Sequence, residues 1–266
     1  MSPAPAMAAA RELTHEDFEL FAEARFGPAD GKHRYWYGRG PVRDAQTGKT
    51  IYDFEYYDTV RHYIDPDNPD RRFGIIRKLD LFRDKDTGKV LETFGGKPVK
   101  SWTFPYQLLE LEYKGGRVVL TASQGSGEFL RTHVFTESNI SRFGDFAHVT
   151  IPAFFMTRRP EIPDEVAAHT MTSFFLVYEG DREAVPRYQW GQAGVSPLAP
   201  WAGGDGRKMS YMFMTGARHE EYAELPQDLR SVIESQYPQF REPPKDLEEV
   251  RTLQRYSRTV TDHGPG

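Results

Sequence analysis

Ionisable side chains on the apolar face of predicted strands are the residues of this chain best suited to chemistry. In an alternating strand, Arg77 shares a face with Ile75 and Leu79. A guanidinium among apolar neighbours is costly unless a partner or a ligand neutralises it. Arg131 shares a face with His133 by the same alternation. We therefore expect Arg77 or Arg131 to hold a carboxylate, a carbonyl or a phenolate.

Histidines could supply a group that moves a proton near neutral pH. None of the 8 histidines has the H-x-H, H-x-x-x-H or H-E-x-x-H spacing of a local metal site, and the chain has no cysteine. We therefore predict no bound metal and no cofactor. His133 and His169, which lie in predicted strands, and Tyr35 are the candidates for proton transfer. The competing interpretation is that these strand residues are hydrogen-bonded structural groups.

Aromatic side chains are frequent, with 14 Tyr, 18 Phe and 4 Trp in 266 residues. Tyr52, Phe54 and Tyr56 share one strand face, and residues 33, 35 and 37 share a face of an earlier strand. Such rings could grip an aromatic ligand, or they could simply fill a core, and both interpretations stay open. The residues that we expect to line a ligand cavity are Tyr56, Trp102, Phe104 and Tyr211.

Two glycine-containing sequences resemble functional loops but lack essential positions. Thr47-Gly48-Lys49-Thr50 resembles the end of a phosphate-binding loop, but Arg43 stands where the first glycine is required. Gln124-Gly125-Ser126-Gly127-Glu128 lacks the G-x-S-x-G spacing of a nucleophile elbow. The sequence D-x-x-T-G-K occurs at Asp44–Lys49 and again at Asp84–Lys89, and it predicts two hairpin turns closed by glycine.

The elements that must position these residues are mainly strands. Short segments of period two, separated by turn residues, predict an antiparallel barrel or sandwich in a single domain of residues 13–258. Thr14 and Asp17 predict a capped N-terminal helix, and two helices are expected near the C-terminal end. Residues 1–12 and 259–266 are predicted to be disordered tails. We expect a long loop over residues 181–205, in which Trp190 and Trp201 cover the cavity mouth.

Charge and hydropathy limit the classes of partner. A net charge of −5 and an isoelectric point near 5.9 argue against nucleic-acid binding. No stretch approaches the ~20 apolar residues that a membrane-spanning helix needs, and the first residues lack the pattern of a signal peptide. The absence of cysteine is compatible with a reducing compartment. We therefore expect a cytoplasmic protein that binds a hydrophobic small molecule, and a homo-oligomer is compatible with the sequence.

Several motifs together resemble one bacterial family. They are the strand and D-x-x-T-G-K-V-L hairpin within Leu79–Glu92, the Pro200-Trp201 loop, Leu225-Pro226, and the Tyr237–Pro244 ending. These are similar to the family known as domain of unknown function eighteen-thirty-eight. The W-x-N-P-Y-T-G run expected after its hairpin is replaced here by Phe94–Pro98. The family has no settled activity, so the resemblance implies mainly a fold. We expect an antiparallel β-barrel, calycin-like or dirigent/allene-oxide-cyclase-like, with an N-terminal helix and C-terminal helices.

These features predict a cofactor-independent lyase, isomerase or cyclase that acts by acid/base chemistry on a hydrophobic, aromatic small molecule in a barrel cavity. The alternative is a lipocalin-like carrier, which needs the same aromatic lining but no proton-transferring group. A third interpretation is a barrel filled by its own side chains, whose function lies at a partner surface.

Overall fold

The computed structural model describes residues 12–126, 129–135, 139–159, 162–180 and 187–253. The helices are α1 (His15–Phe26), α2 (Gln227–Gln236) and α3 (residues 247–253), and the strands are β1 (His33–Asp44), β2 (Thr50–Ile64), β3 (Arg71–Arg83), β4 (Thr93–Phe94), β5 (Lys97–Pro98), β6 (Trp102–Lys114), β7 (Arg117–Ser126), β8 (Phe129–Phe135), β9 (Asn139–Phe143), β10 (Phe146–Arg159), β11 (Ile162–Tyr178), β12 (Tyr188–Pro197) and β13 (Met209–His219). Eleven of these strands form one antiparallel sheet, in the order β8-β7-β6-β3-β2-β1-β13-β12-β11-β10-β9. The pair β4–β5 is a separate small hairpin.

The large sheet curls into a half-barrel, and α1 lies on its concave side. The helix contacts β2, β6 and β11, which are far apart in the order of the sheet. Phe18, Phe21 and Phe26 are buried completely or almost so. These rings place the helix against the concave core, whereas His15 and Glu16 of its first turn are exposed. The prediction of a mainly β antiparallel fold is confirmed, whereas the barrel type stays a prediction.

The start and end of α1 follow from its sequence. The Asp17 backbone N–H donates to the Thr14 hydroxyl at 3.1 Å, and the Thr14 N–H donates to the Asp17 carboxylate at 2.9 Å. This is the predicted capping box, in which two free N–H groups are satisfied reciprocally. The helix ends at Gly27, whose φ of 84° favours glycine. The Trp36 indole N–H donates to the Arg25 carbonyl at 3.0 Å and so joins the helix end to β1.

The C-terminal segment covers part of the convex face of the sheet. Tyr57, Leu79 and Leu81 pack there against Leu229 and other residues of the region around α2. The Tyr57 hydroxyl donates to the carbonyl of residue 240 at 2.9 Å. The central strands are therefore buried on both faces, with α1 on one side and the C-terminal segment on the other. Among the described residues, no helix is long and apolar enough to cross a membrane.

Both predicted D-x-x-T-G-K turns are confirmed as turns. In each, the aspartate carboxylate accepts from the threonine N–H at 2.7 Å, and the glycine has a positive φ. The second turn, which was predicted to close a hairpin, is not followed at once by a strand that pairs with β3. Val90 makes only an isolated bridge to Arg83, and the short β4 begins three residues later.

The prediction of a loop over residues 181–205 is wrong for residues 188–197, which form β12. Its glycines suggested a loop, but two of them lie within the strand, where neighbouring atoms leave no room for a side chain. A Cβ added at Gly191 would lie 2.2 Å from the Phe174 ring, and one added at Gly194 would lie 2.9 Å from the Thr170 carbonyl. Glycine inside a strand marks a close approach of a neighbour as often as it marks a turn.

Candidate functional site

A cluster of polar side chains lies on the concave face, where three neighbouring strands bring them side by side. Asp58 of β2 pairs in register with Lys78 of β3, and Tyr56 pairs with Asp80. In β6, Phe104 and Trp102 stand opposite Lys78 and Asp80. We call Tyr56, Asp58, Lys78 and Asp80, together with Arg25 of α1, the polar cluster.

Asp58 holds α1 to the sheet. The Arg25 guanidinium donates to Asp58 Oδ2 at 2.9 Å, and the Tyr56 hydroxyl donates to the same oxygen. Asp58 is fully buried, and Arg25 is nearly so. The other oxygen, Oδ1, is buried without a hydrogen-bond partner in the described part of the chain. Burial and the neighbouring Asp58 carboxylate raise the pKa of Tyr56 well above its usual value, so this hydroxyl keeps its proton.

Asp80 is the group of the cluster best suited to proton transfer. It is 1% exposed, and its Oδ2 lies 3.0 Å from Lys78 Nζ. Burial raises the pKa of Asp80 from 3.8 to about 6; the Lys78 ammonium opposes this rise, and the Asp58 carboxylate adds to it. Its Oδ1 is also buried with no hydrogen-bond partner among the described residues. A carboxyl group with this pKa is present in both protonation states near neutral pH.

Lys78 connects the cluster with the solvent. Its Nζ lies 4.9 Å from the centre of the Tyr56 ring and 5.0 Å from the centre of the Phe104 ring. Ammonium groups are attracted to ring faces at such distances. The Lys78 side chain is 18% exposed, whereas Asp80 beside it is almost fully buried. Lys78 is therefore the most exposed side chain of the cluster.

Aromatic rings form the wall beside the cluster. The Trp190 ring lies 4.6 Å from the Tyr56 ring, and it reaches that place across Gly216 and Gly38 of the intervening strands. A Cβ at Gly38 would lie 2.6 Å from the Trp190 ring, so the missing side chain makes room for it. Trp102 packs edge-on against another ring of the same face and is nevertheless 50% exposed. The wall is thus open to solvent at Trp102.

Five of the predicted ligand-contacting residues lie on or beside this concave face. They are Tyr56, Trp102, Phe104, Trp190 and Trp201. Trp190, however, belongs to β12 rather than to a covering loop. Trp201 lies in the 3₁₀ turn Pro200–Ala202 and contacts the rings of Tyr52 and Phe82 at 4.9 and 5.0 Å.

Tyr211 differs from the prediction that it lines a cavity. It lies on the convex face of β13 and is 40% exposed, because the alternation places its neighbours Met212 and Met214 against the concave core. A shift of one residue exchanges the two faces of a strand, and the sequence alone did not fix which residues of β13 face inward.

Tyr35 and Arg77 also lie away from the polar cluster, on the convex face. Tyr35 contacts His33 Nε2 through its hydroxyl at 2.7 Å and packs under the C-terminal segment, where burial raises the pKa of Tyr35 to about 12. Arg77 donates to the carbonyls of residues 105, 239 and 242 at 3.0–3.3 Å and pairs with Glu249 at 2.6 Å. Its donors hold the C-terminal segment on the sheet, which explains an arginine on this apolar face without a ligand.

The remaining three candidates are placed only by their backbone. His133 stands opposite Ala122 and Arg131 opposite Gln124 in the pairing of β8 with β7. His169 stands opposite Phe155 in the pairing of β11 with β10. Their side chains lie outside the described part of the structure, so their proposed roles stay predictions.

The sequence contains a signal for Asp58 and Asp80, which were not among the predicted site residues. Asp58 continues the alternation of Tyr52, Phe54 and Tyr56, so a carboxylate falls on an aromatic strand face. Asp80 lies in the same way on the face of β3 that also carries Ile76 and Phe82. A charged side chain on such a face is costly, and costly groups are concentrated at functional sites.

The arrangement of the polar cluster is suited to acid/base chemistry. Among the described residues, no group of three or more His, Asp or Glu side chains is placed to hold a metal ion. Two carboxylates and two cations alternate instead within an aromatic surround. No protein-family model matches the chain, and comparisons with curated proteins and with solved structures found no match. The resemblance to domain of unknown function eighteen-thirty-eight therefore stays a prediction.

Proposed function

We propose that this protein is a cofactor-independent lyase or isomerase that moves a proton on a small, hydrophobic, aromatic molecule bound at the concave face. The observation that carries the proposal is the state of Asp80. It is buried beside Lys78, its pKa is near 6, and one of its oxygens has no partner among the described residues. Such a group is a better candidate for proton transfer than Tyr35, whose hydroxyl lies under the C-terminal segment.

The roles follow from the charges. Ionised Asp80 removes a proton from the substrate and, as a neutral acid, returns it at the same or another atom, so that an isomerisation needs no other reactant. When Asp80 is protonated, the ammonium group beside it, whether it belongs to Lys78 or to the ligand, loses its partner and can stabilise a negative charge that develops on the substrate. Arg25 is held by Asp58 and keeps the floor of the site fixed. Trp190 and Tyr56 provide the aromatic surface.

The second candidate function is a carrier of a hydrophobic small molecule. It is favoured by the contacts of Arg25 and Tyr56 with Asp58, which attach α1 to the sheet and explain part of the polar cluster structurally. A carrier uses the aromatic wall and the opening at Trp102 but transfers no proton.

The chain has a built-in reporter for the test. All 4 tryptophans are aromatic neighbours of the concave core, so tryptophan emission should respond to a ligand there. A panel of phenolic and terpenoid compounds is titrated against the protein, and each bound compound is incubated in deuterated water with enzyme and followed by NMR for exchange of carbon-bound protons.

The matched variants are Asp80→Asn in the site and Asp67→Asn at an exposed loop position. Exchange that is lost in Asp80→Asn and kept in Asp67→Asn supports the enzyme. Binding without exchange, in the wild-type protein and in both variants, selects the carrier. Absence of binding across the panel contradicts both functions.

A further inference from the structure

Lys78 occupies a position that is built for a cation. Its Nζ lies between two ring faces at about equal distances, 4.9 Å from Tyr56 and 5.0 Å from Phe104, and 3.0 Å from the Asp80 carboxylate. A carboxylate with aromatic rings on either side is the environment in which proteins bind alkylammonium groups. The lysine side chain is itself such a group, joined to the chain by a flexible stem.

The hydrogen-bonding capacity of the cluster is not exhausted by Lys78 and Arg25. Asp58 and Asp80 each keep one buried oxygen that accepts no hydrogen bond from any described residue. A buried carboxylate oxygen without a donor is costly, and the natural partner for it is an N–H or O–H donor. A ligand with an anionic group would meet two carboxylates at this place and would be repelled.

We propose that the molecule bound at this site carries a protonated amine attached to an apolar, aromatic body, and that Lys78 occupies the amine position when no ligand is bound. This inference rests on the proposed function, because it places the ligand at the same concave face. Lys78 can leave without stranding a charge in the interior, since its side chain is 18% exposed and reaches solvent. The entering ammonium then takes over the Asp80 partner and the two ring faces, and it offers further N–H donors to the free oxygens.

Exchange of one ammonium for another keeps the charge of the cluster constant. Removal of the lysine charge should therefore strengthen the binding of an amine, whereas removal of the Asp80 charge should weaken it. If Lys78 had only a structural role, removal of its charge would instead weaken amine binding, because the site would be damaged. Substitution of Lys78 and of Asp80 therefore distinguishes a lysine that competes with the ligand for the site from a lysine that only forms a structural ion pair.

The experiment uses three probes that share a phenylethyl body: 2-phenylethylamine, 2-phenylethanol and 3-phenylpropanoate. Their dissociation constants are measured by tryptophan emission at pH 7.5. We expect the amine to bind at least ~10-fold more tightly than the alcohol, a difference of about 1.4 kcal/mol. Relative to the wild-type protein, we expect Lys78→Met to bind the amine about 10-fold more tightly and Asp80→Asn to bind it about 10-fold more weakly.

Two control variants make the result specific. Lys78→Arg keeps a cation at the site and should leave the amine affinity within about threefold of wild type. Lys114→Met removes an exposed lysine at the end of β6 and should change nothing. Circular dichroism of each variant establishes that it is folded before binding is compared.

Three outcomes overturn the inference. Binding of the alcohol or the carboxylate as tight as that of the amine contradicts amine recognition but leaves the proposed function standing. An amine preference that Lys78→Met does not strengthen contradicts the placement of Lys78 in the amine position. Failure of all three probes, while phenolic or terpenoid compounds of the panel bind, contradicts the amine class and again leaves the concave face as the binding site.

Discussion

Replacement of Asp80 by Asn tests whether the ionised Asp80 carboxylate lowers the stability of the folded protein. Burial raises the pKa of Asp80 from 3.8 to about 6, so the folded protein binds this proton more tightly than the unfolded chain does. For such a group the free energy of unfolding is highest when the pH is below 3.8 and decreases as the pH rises toward 6. Above pH 6 Asp80 is ionised in the folded protein, and the full free-energy cost of its buried charge is present.

The magnitude follows from the two pKa values. Each tenfold change in proton affinity corresponds to about 1.4 kcal/mol, so ionised Asp80 lowers the stability at pH 7 by about 3 kcal/mol relative to its protonated form. Asparagine has the same shape and no charge, but it leaves Lys78 without its ion partner. Because Lys78 is partly exposed, it can turn toward water at modest cost. We therefore expect Asp80→Asn to raise the free energy of unfolding at pH 7 by about 1–3 kcal/mol.

His62 must be separated from this effect because it titrates in the same range with the opposite sign. Burial lowers the pKa of His62 from 6.5 to about 4, and its Nδ1 lies 2.6 Å from the Gly27 carbonyl at the end of α1. The stability that the neutral histidine contributes is complete above pH 6.5 and decreases as the pH falls toward 4. In the wild-type protein the two groups compensate between pH 4 and 6. In Asp80→Asn the effect of His62 is no longer offset by Asp80, and burial also lowers the pKa of His33 and His219, so the stability of that variant should rise more steeply with pH than that of the wild-type protein across this interval.

Urea unfolding followed by tryptophan emission at unit steps from pH 4 to pH 8 measures both effects. Asp67→Asn, at an exposed loop position, is the control and should match the wild-type protein at every pH. An Asp80→Asn variant that is less stable than wild type at pH 7 and follows the same pH dependence would contradict this account of Asp80. That result would mean that ionised Asp80 contributes to folding as half of an ordinary ion pair, and the proton-transfer role would lose its physical basis.

Three further substitutions test the architecture around the site. Arg25→Met leaves the buried Asp58 without its cation and should cost about 3–5 kcal/mol in urea unfolding, whereas a change below 1 kcal/mol would contradict the burial of this pair. Gly38→Ala places a methyl group against Trp190 and should cost about 1–3 kcal/mol with a shift in tryptophan emission, and an unchanged spectrum would contradict that contact. Arg77→Met removes three contacts to the C-terminal segment and should make limited proteolysis cleave near residues 239–249 faster, while the sheet stays intact; an unchanged cleavage rate would refute its role as a clamp.

Local features of the fold could be read from the sequence because their causes are local. The capping box at Thr14 needs only residues three apart, and the turns at Asp44 and Asp84 need only an aspartate, a threonine and a glycine at fixed spacing. Period two in the flanking segments identified most strands in the same way. The strand β12 was missed because its glycines are required by side chains that are distant in sequence, such as the Phe174 ring beside Gly191.

The position of α1 could not be predicted from local sequence. Its three phenylalanines indicate burial, but nothing in residues 15–26 specifies which strands surround them. Arg142 of β9 reaches Asp17 at 2.6 Å across 125 residues of sequence, and Arg25 reaches Asp58 across 33. Such contacts depend on how far the sheet curls, which is a property of the whole fold. The inward face of each strand depends on the same curl, and this is why Tyr35 and Tyr211 were expected on the wrong side.

Comparison of the buried carboxylates gives the strongest reason to place function on the concave face. Glu55 is as buried as Asp58, but both of its oxygens are satisfied, one by the Tyr37 hydroxyl at 3.2 Å and the other by Arg83 at 2.5 Å. A buried acid with a complete set of donors is explained by the fold alone. Asp58 and Asp80 each keep an oxygen that no described residue satisfies, although they lie in the same two strands as Glu55 and its partner. On the convex face the fold satisfies both oxygens of a buried carboxylate, although Arg83 Nη2 and Thr59 Oγ1 there also lack a partner among the described residues. The two carboxylates of the concave face differ in keeping an acceptor oxygen unpaired, and this is the atom that a ligand with N–H or O–H donors would engage.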